Sequence, residues 1–236
     1  MEPAYFNSAV TNNGGCDYNP GQQSGLNMVR AYDFETDQAF FGEVLVSEYP
    51  TSSPWVTSVG ATALAASGDF TTCSSWDGAA ITGGGGFNAL TARPKWQETA
   101  VTEWLSAVTA AGDLSTSTFN VSRARSMRGY PDVALNGHNY QIVSQFGVAS
   151  VDGTSASTPV FAGMLSLINA HLQSEGKATL GFVNPLLYSL AANPSTADAF
   201  QDVTTGDNRC NRFSCCQYGY DAAVGWDPAT GLGGLL

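Results

Sequence analysis

A serine lies where a buried helix is predicted to begin. Residues 153–159 read GTSASTP, and the run from Ser155 to Leu172 is so rich in apolar residues that we expect a helix buried nearly all round. Pro159 is tolerated in the first turn of a helix, which places the predicted start near Ser155 or Ser157. Unpaired backbone N–H groups and the positive end of the helix dipole favour negative charge there. Ser155 is therefore a candidate nucleophile beside part of an oxyanion hole; the alternative is an ordinary helix cap.

Two further groups of residues have types that bind ligands, but they lack the spacing that binding requires. Four consecutive glycines occupy 83–86 without a Walker lysine or its spacing, so we expect a close backbone approach or a substrate-facing loop rather than a phosphate site. The five cysteines show no paired C-x₂-C spacing, and the two histidines, His138 and His171, are isolated, which argues against zinc. Three cysteines crowd one loop, as loop-stapling disulfides in an oxidising compartment do: Cys210, Cys215 and Cys216. The odd total leaves at least one thiol unpaired within the chain.

Predicted helices alternate with short β-rich runs in the segments that must position Ser155. The apolar residues of 97–108 recur at helical spacing, which predicts a helix with one buried stripe. Asn184 and Pro185 predict the N-cap and first residue of another helix. Residues 1–40 read as irregular loop, strands are predicted over 42–46, 54–60 and 130–135, and a hairpin over 140–151. This alternation predicts an α/β fold with a mostly parallel sheet.

The composition excludes several classes of function. The chain has 20 acidic residues against nine Lys and Arg, a net charge of −11 and no basic cluster, so no nucleic-acid partner is expected. No stretch is long and apolar enough to cross a membrane, so no membrane partner is expected either. The first six residues lack the basic and apolar regions of a signal peptide, although the cysteine loop favours secretion. An upstream segment would resolve that conflict.

Several segments of the chain resemble one family of peptidases. Residues 152–157, DGTSAS, are similar to the SGTSAS nucleophile motif of the sedolisin family, the serine-carboxyl peptidases, and are tripeptidyl-peptidase-like. Further family segments follow in the family's order: YPTSSPWVTSVGAT at 49–62, GGGF at 84–87, PKWQ at 94–97, RGYPDV at 128–133, LGFVNP at 180–185 and GWDPATG at 225–231. The resemblance covers roughly residues 40–233. It implies a subtilisin-like, mostly parallel sheet with flanking helices, of which residues 1–236 form an incomplete, C-terminal portion of the catalytic domain.

The resemblance implies a catalytic role for Ser155 as nucleophile. The family's general base is a glutamate, oriented by an aspartate one helical turn away. A carboxylate with an ordinary pKa of about 4.3 suits work at acid pH, where histidine would be protonated. No convincing glutamate and aspartate with this spacing occur in the chain, since Asp33 and Asp37 have the spacing but not the glutamate. We expect the pair upstream of Met1, and negligible peptidase activity from residues 1–236 alone.

Two short segments depart from the family pattern. The family's oxyanion aspartate stands in a Ser-Gly-Asp motif that precedes the 49–62 segment, whereas the SGD at 67–69 follows it. We therefore interpret 67–69 as a coincidence and expect the true motif just before Met1. Asp152 replaces the usual serine of the nucleophile motif and adds a carboxylate near Ser155.

The resemblance also implies a calcium site in the loop region 200–233. Its ligands would be the carboxylates of Asp202 and Asp227 and the backbone carbonyls of Val203, Ala223 and Gly225. Oxygen ligands of this kind suit Ca²⁺, although aspartates in loops more commonly serve to form turns. The cysteine loop between the two segments resembles the family's stapled loop, which implies a bond from Cys210 to Cys215, Cys216 or Cys16.

The function implied by the resemblance is hydrolysis of peptide bonds at acid pH. The substrates would be peptides or unfolded proteins, the enzyme a monomer, and its location extracellular, lysosomal or vacuolar. The alternative is a catalytically inactive, secreted calcium-binding fragment or pseudoenzyme. An unrelated serine hydrolase is disfavoured because the chain has no G-x-S-x-G elbow.

Overall fold

The computed structural model describes residues 31–33, 38–40, 49–74, 77–112, 124–209 and 219–235. The strand expected at 42–46, Cys16 and the cysteine loop at 210–218 lie outside these residues.

Eleven strands and three α-helices are assigned within the described residues. The strands are Ala31–Asp33 (β1), Gln38–Phe40 (β2), Val59–Leu64 (β3), Phe70–Thr72 (β4), Gly86–Ala92 (β5), Met127–Tyr130 (β6), Val133–Asn136 (β7), Tyr140–Ser144 (β8), Gly147–Val151 (β9), Phe200–Gln201 (β10) and Gly234–Leu235 (β11). The helices are Glu98–Ala111 (α1), Thr154–Ser174 (α2) and Asn184–Ala192 (α3), with short 3-10 turns at Lys95–Gln97 and Ala197–Ala199.

A three-stranded sheet in the order β4-β3-β7 supports the start of α2. Strands β3 and β7 are parallel, with Val59 opposite Val133 and Thr62 opposite Asn136, and α2 packs against both strands. The other described strand pairs, β1–β2, β3–β4, β5–β6, β8–β9 and β10–β11, are antiparallel. The α/β class is confirmed, and the expected parallel pairing occurs where it positions the nucleophile helix.

The apolar stripe of α1 forms part of the main core, as the spacing predicts. Val101 and Trp104 are buried, and Leu105 and Val108 pack against the core with partial exposure. The helix begins at Glu98, one residue later than expected, because Lys95–Gln97 forms a 3-10 turn instead. The core is rich in aromatic rings, which contact one another at centroid distances of 5.5–6.1 Å: Phe87, Trp104, Tyr220 and Trp226.

Three strand predictions require correction. The strand expected at 54–60 begins only at Val59, because residues 50–58 form turns and loop. The strand expected at 130–135 is two strands, since Pro131 has no N–H to donate and separates β6 from β7. Part of the irregular segment 1–40 forms the short pair β1–β2, which includes Asp33. The hairpin expected over 140–151 is confirmed as β8 and β9.

The prediction that α2 is buried nearly all round is wrong for this chain. Its buried side chains lie mostly in the first half, whereas Leu167 and Ile168 in the second half are 75% and 44% exposed. The start is also one residue earlier than expected, at Thr154, so Pro159 is in the second turn and not in the first. Because proline has no N–H, the carbonyl of Ser155 lacks its usual helical partner.

Asn184 does not cap α3. The helix begins at Asn184 itself, after Val183, and no side chain caps its first turn. The Asn184 amide is instead fully buried, where it donates to the carbonyl of Val56 and to the carboxylate of Asp132 and accepts from the hydroxyl of Thr57. The local pattern predicted that the Asn184 side chain caps the helix, but hydrogen bonds with residues distant in sequence hold that side chain instead.

Candidate active site

Ser155 is the exposed serine at the amino end of α2. Gly153 precedes the helix in an extended conformation, and Ser155 is the second helical residue. No other residue in the described part of the chain forms a hydrogen bond with its hydroxyl. Its hydroxyl lies at the surface, beside the N–H groups of Thr154 and Ser155, for which the helix provides no acceptor, whereas the N–H of Ala156 donates to the carbonyl of Gly153.

Ser157 has a different role from Ser155, although both lie in the first turn. Its side chain is fully buried, and its hydroxyl donates to the carbonyls of Leu135 and Asn136 at 3.0 and 3.2 Å. These bonds attach the start of α2 to the end of β7. The structure thus distinguishes an anchoring serine from a serine that is free to react.

Close packing places the start of α2 at the carboxyl ends of the two parallel strands. Gly137, directly after β7, donates its N–H to Thr62 at 2.9 Å and accepts from the N–H of Gly153 at 2.7 Å. A Cβ at Gly137 would lie 2.7 Å from the Cβ of Ala61 and 2.8 Å from the hydroxyl oxygen of Ser157. The carboxyl ends of parallel strands are the usual place for ligand and catalytic sites in α/β sheets.

Asp152 binds three groups directly before the nucleophile segment. Its Oδ1 accepts the N–H of Asn139 and its Oδ2 that of Ala80, both at 2.6 Å, and Nδ1 of His138 lies 3.0 Å from Oδ1. Burial raises the pKa of Asp152, but the two N–H donors and His138 outweigh burial, so the pKa lies below its ordinary value of 3.8. His138 is half-buried, and its Nδ1 faces this carboxylate. Sequence spacing carried no signal for these contacts, because Ala80 is 72 residues away.

The glycine run 83–86 is a close backbone approach, which was one of the two expectations. All four glycines are buried, and a Cβ at Gly85 would lie 1.6 Å from the carbonyl oxygen of Pro228. The run therefore packs against the segment that contains Asp227, and only glycine fits at Gly85.

The SGD segment at 67–69 is the turn between β3 and β4. Its residues are exposed, the Asp69 N–H lies 3.3 Å from the hydroxyl oxygen of Ser67, and Gly68 has a φ of 92°. Local hydrogen bonds of a hairpin account for these residues, in agreement with their interpretation as a coincidence.

Two of the five residues expected to bind calcium, Asp202 and Asp227, contact the loop 223–225, which contains two more of them. Asp202 follows β10 and its carboxylate accepts the N–H of Gly225 at 2.8 Å, while the carboxylate of Asp227 accepts the N–H of Ala223 at 3.0 Å. Val203 is next to Asp202 and buried. The loop thus lies between the two carboxylates.

Both carboxylates are partly or wholly removed from water. Burial raises the pKa of Asp227 to about 7, despite N–H donors from Ala223, Thr230 and Ala229, and burial also raises the pKa of Asp202. Neither carboxylate is paired with a cationic side chain among the described residues. Such carboxylates fit a cation, because an added positive charge offsets the cost of keeping them ionised.

The donor set limits which metal would fit. No three side chains of His, Cys, Asp or Glu come together as a metal site in the ranges that the structure describes. A metal at 202–227 would therefore need backbone carbonyl and water oxygens besides the two carboxylates, a set that calcium accepts.

The chain is similar to several peptidases along most of its length. It is 39% identical over 210 residues to physarolisin of Physarum polycephalum. The matched region covers 80% of this chain and 35% of that protein. It is 36% identical over 199 residues to tripeptidyl-peptidase sed1 of Aspergillus fumigatus, over 81% of this chain and 29% of that protein. It is 41% identical over 188 residues to human tripeptidyl-peptidase 1, and the matched region covers 78% of this chain and 31% of that protein. No family model matches the chain.

A solved structure agrees with these relatives. Pseudomonas sedolisin, a serine-carboxyl proteinase complexed with two molecules of pseudo-iodotyrostatin, matches with a TM-score of 0.56 and 29% identity, over 79% of this chain and 45% of that one. The chain belongs to the sedolisin family. It matches the C-terminal part of its sedolisin relatives and spans about a third of the length of the curated ones. None of the described helices is both long and apolar enough to cross a membrane.

Proposed function

We propose that the protein is a serine-type peptidase of the sedolisin kind that hydrolyses peptide bonds at acid pH with Ser155 as nucleophile. The observation that carries this proposal is the free, exposed hydroxyl of Ser155 at the amino end of α2, at the carboxyl ends of β3 and β7. In this arrangement the hydroxyl attacks the substrate carbonyl, and the neighbouring N–H groups are suited to stabilise the resulting oxyanion. The names of the relatives support peptide bonds as the substrate class.

The nucleophile also needs a general base, which we propose comes from outside the described residues. Ser155 forms no hydrogen bond with a carboxylate in the part of the chain that the structure describes, and both oxygens of nearby Asp152 are occupied by N–H donors. A glutamate and aspartate pair and an oxyanion aspartate, as the family resemblance implies, would complete the site. Residues 1–236 alone should then show negligible cleavage.

Peptide hydrolysis near pH 4 tests the proposed function. The whole gene product is compared with its Ser155→Ala and Ser166→Ala variants; Ser166 is an exposed serine of the same helix, bonded only to the carbonyl of Ala162. Loss of cleavage in Ser155→Ala with normal cleavage in Ser166→Ala is expected. Cleavage that survives Ser155→Ala would refute the assignment, and robust cleavage by residues 1–236 alone would refute the external base.

We also propose calcium as a structural cofactor. Asp202 and Asp227 would supply carboxylate oxygens, and Val203, Ala223 and Gly225 would supply backbone carbonyls. Support comes from the two carboxylates on either side of the 223–225 loop, of which Asp227 is fully buried and neither has a cationic partner among the described residues. Bound calcium would hold two loops together, with no part in the chemistry at Ser155.

A second candidate function is a secreted calcium-binding module without catalysis. It is favoured by one contrast: the carboxylates of the candidate calcium site are both present, whereas Ser155 has no base among the described residues. The cleavage assay on the whole gene product separates the two functions, because a module would remain inactive.

The setting of the protein follows from the proposed peptidase function. Peptides or unfolded proteins would be the substrates, the enzyme would act as a monomer, and it would work outside the cell or in a lysosome or vacuole. The names of the tripeptidyl-peptidase relatives support the peptide substrates.

A further inference from the structure

Asp152 closes the base of a hairpin that projects beside the nucleophile. Strands β8 and β9 are almost entirely exposed, with Val143 83% and Phe146 91% accessible. Asn139 lies immediately before β8 and Asp152 immediately after β9, and the Asp152 carboxylate accepts the Asn139 N–H at 2.6 Å. Asn139 has a φ of 56° and its side chain accepts from the hydroxyl of Ser150. The two ends of the hairpin are thus joined at a single carboxylate.

The second oxygen of Asp152 extends this connection to another loop. Oδ2 accepts the N–H of Ala80, whose neighbour Ala79 is buried with Ala61 and Cys73 in a small second core. On the other side, Asp152 is followed by Gly153, which donates to Gly137 at 2.7 Å and leads into α2. One side chain therefore joins the hairpin and the 77–82 loop to the start of the nucleophile helix.

Two titratable groups face Asp152. Nδ1 of His138 lies 3.0 Å from Oδ1. Cys73 also interacts with the Asp152 charge, but burial raises its pKa to about 12, so it remains a neutral thiol at acid and neutral pH. The two backbone N–H groups, which do not titrate, are therefore the contacts that define the connection.

We propose that Asp152 is a positioning residue, a clamp that fixes the hairpin and the 77–82 loop against the start of α2. The role next to Ser155 rests on the proposed peptidase function, whereas the clamp itself does not. In the family motif a serine stands in this place. A serine hydroxyl has a single oxygen and no charge, whereas the Asp152 carboxylate gives each N–H group its own acceptor oxygen.

The pKa of Asp152 defines the pH range of the clamp. The lowered pKa means that the stabilisation by Asp152 is fully present above the ordinary value of 3.8 and is lost only as the pH falls through the lower folded-state value. The clamp therefore persists at the acid pH at which the proposed peptidase works.

Amide hydrogen exchange, followed by NMR on the protein itself, tests the clamp. Protection factors of the Ala80 and Asn139 amides are compared at pH 5 and pH 8, each corrected for the intrinsic exchange rate. In Asp152→Ser both factors should fall about tenfold at pH 5, since hydrogen bonds to charged groups are lost. The same fall is expected at pH 8, because the carboxylate is ionised at both pH values. The control His171→Gln, at the exposed pair with Glu175, should change neither factor.

Two results would overturn the proposal. Equal protection of the two amides in wild type and Asp152→Ser would show that the carboxylate clamps nothing. If Asp152→Ser does not fold, Asp152→Asn replaces it in the experiment. This variant retains one acceptor oxygen, so one of the two amides should keep its protection. A uniform loss of protection across all amides would contradict a local clamp. These measurements do not depend on peptide cleavage. A negative result for the clamp would therefore not contradict the proposed function, and an inactive protein whose two amides are protected would not contradict the clamp.

Discussion

The carboxylate of Asp132 shows how single buried residues hold the site's scaffold. It is fully buried, and its oxygens accept the N–H of Ser58, the guanidinium of Arg128 at 2.6 Å, the amide of Asn184 and the hydroxyl of Tyr188 at 3.0 Å. These donors come from the segment before β3, from β6 and from α3. Because β7 begins directly after Asp132, the network fixes the strand on which the nucleophile helix is anchored.

Replacing Asp132 by Asn should destabilise the protein strongly. The buried Arg128 would lose its only carboxylate partner among the described residues, and breaking a buried pair costs about 3–5 kcal/mol. Glu175→Gln is the matched control, because Glu175 pairs with Lys177 in an exposed position, and exposed pairs contribute about 0–1 kcal/mol. Urea unfolding measures both variants. Equal losses of unfolding free energy would contradict the importance of the buried network.

The role of single residues could be predicted from the sequence only in part. The segment around Ser155 identified the nucleophile candidate and the start of its helix to within a residue or so. It did not separate the free Ser155 from the anchoring Ser157, because that difference depends on the carbonyls of β7. The partners of Asp152 and Asn184 lie up to 72 and 128 residues away and leave no local pattern.

At the scale of elements, periodicity predicted both a helix with one buried face and a hairpin that is almost entirely exposed. The stripe of α1 and the alternation of β8–β9 were both correctly interpreted. The same reasoning failed for 54–60, where β-rich residues form turns, and for α2, whose apolar second half is exposed. Apolar character alone does not say whether another element of the same chain covers a helix.

Truncation of Trp104 in α1 should cost about 3–5 kcal/mol of unfolding free energy. Its side chain is 3% exposed and contacts the rings of Phe87, Tyr220 and Trp226, which join α1 to β5 and to the region of the proposed calcium site. Glu103→Ala, on the exposed face of the same helix, should change stability by less than about 0.5 kcal/mol. Chemical denaturation of the two variants checks this, and a Trp104→Ala loss as small as that of Glu103→Ala would contradict the packing described.

At the scale of the whole molecule, one part of the described chain is well packed, whereas another part leaves apolar side chains exposed to solvent. The segment 225–235 packs along β7 through hydrogen bonds of Leu232 and Gly233, and its Trp226 lies in the core. The apolar residues Leu167 and Ile168 of α2, in contrast, face solvent. Since the chain spans about a third of its curated relatives, we propose that further parts of the peptidase domain cover this face in the whole protein.

Calcium should raise the melting temperature of residues 1–236. An ion that binds only the folded state stabilises it by about 2.7 kcal/mol at a hundredfold excess over its Kd. Asp227→Asn should abolish the rise, whereas Asp198→Asn, an exposed aspartate outside the loop, should retain it. Thermal unfolding with calcium and with chelator measures the effect. An unchanged melting temperature in the wild type would rule out calcium as a structural cofactor.

The role of Ser155 as nucleophile is tested most directly by trapping it covalently. A peptide aldehyde labelled with ¹³C at its carbonyl forms a hemiacetal with a reactive serine, so the carbon signal should move from that of the free aldehyde when the whole gene product is added at pH 4. We predict this adduct in wild type and Ser166→Ala and its absence in Ser155→Ala. An adduct that persists in Ser155→Ala, or an active enzyme that forms none, would contradict the assignment of Ser155.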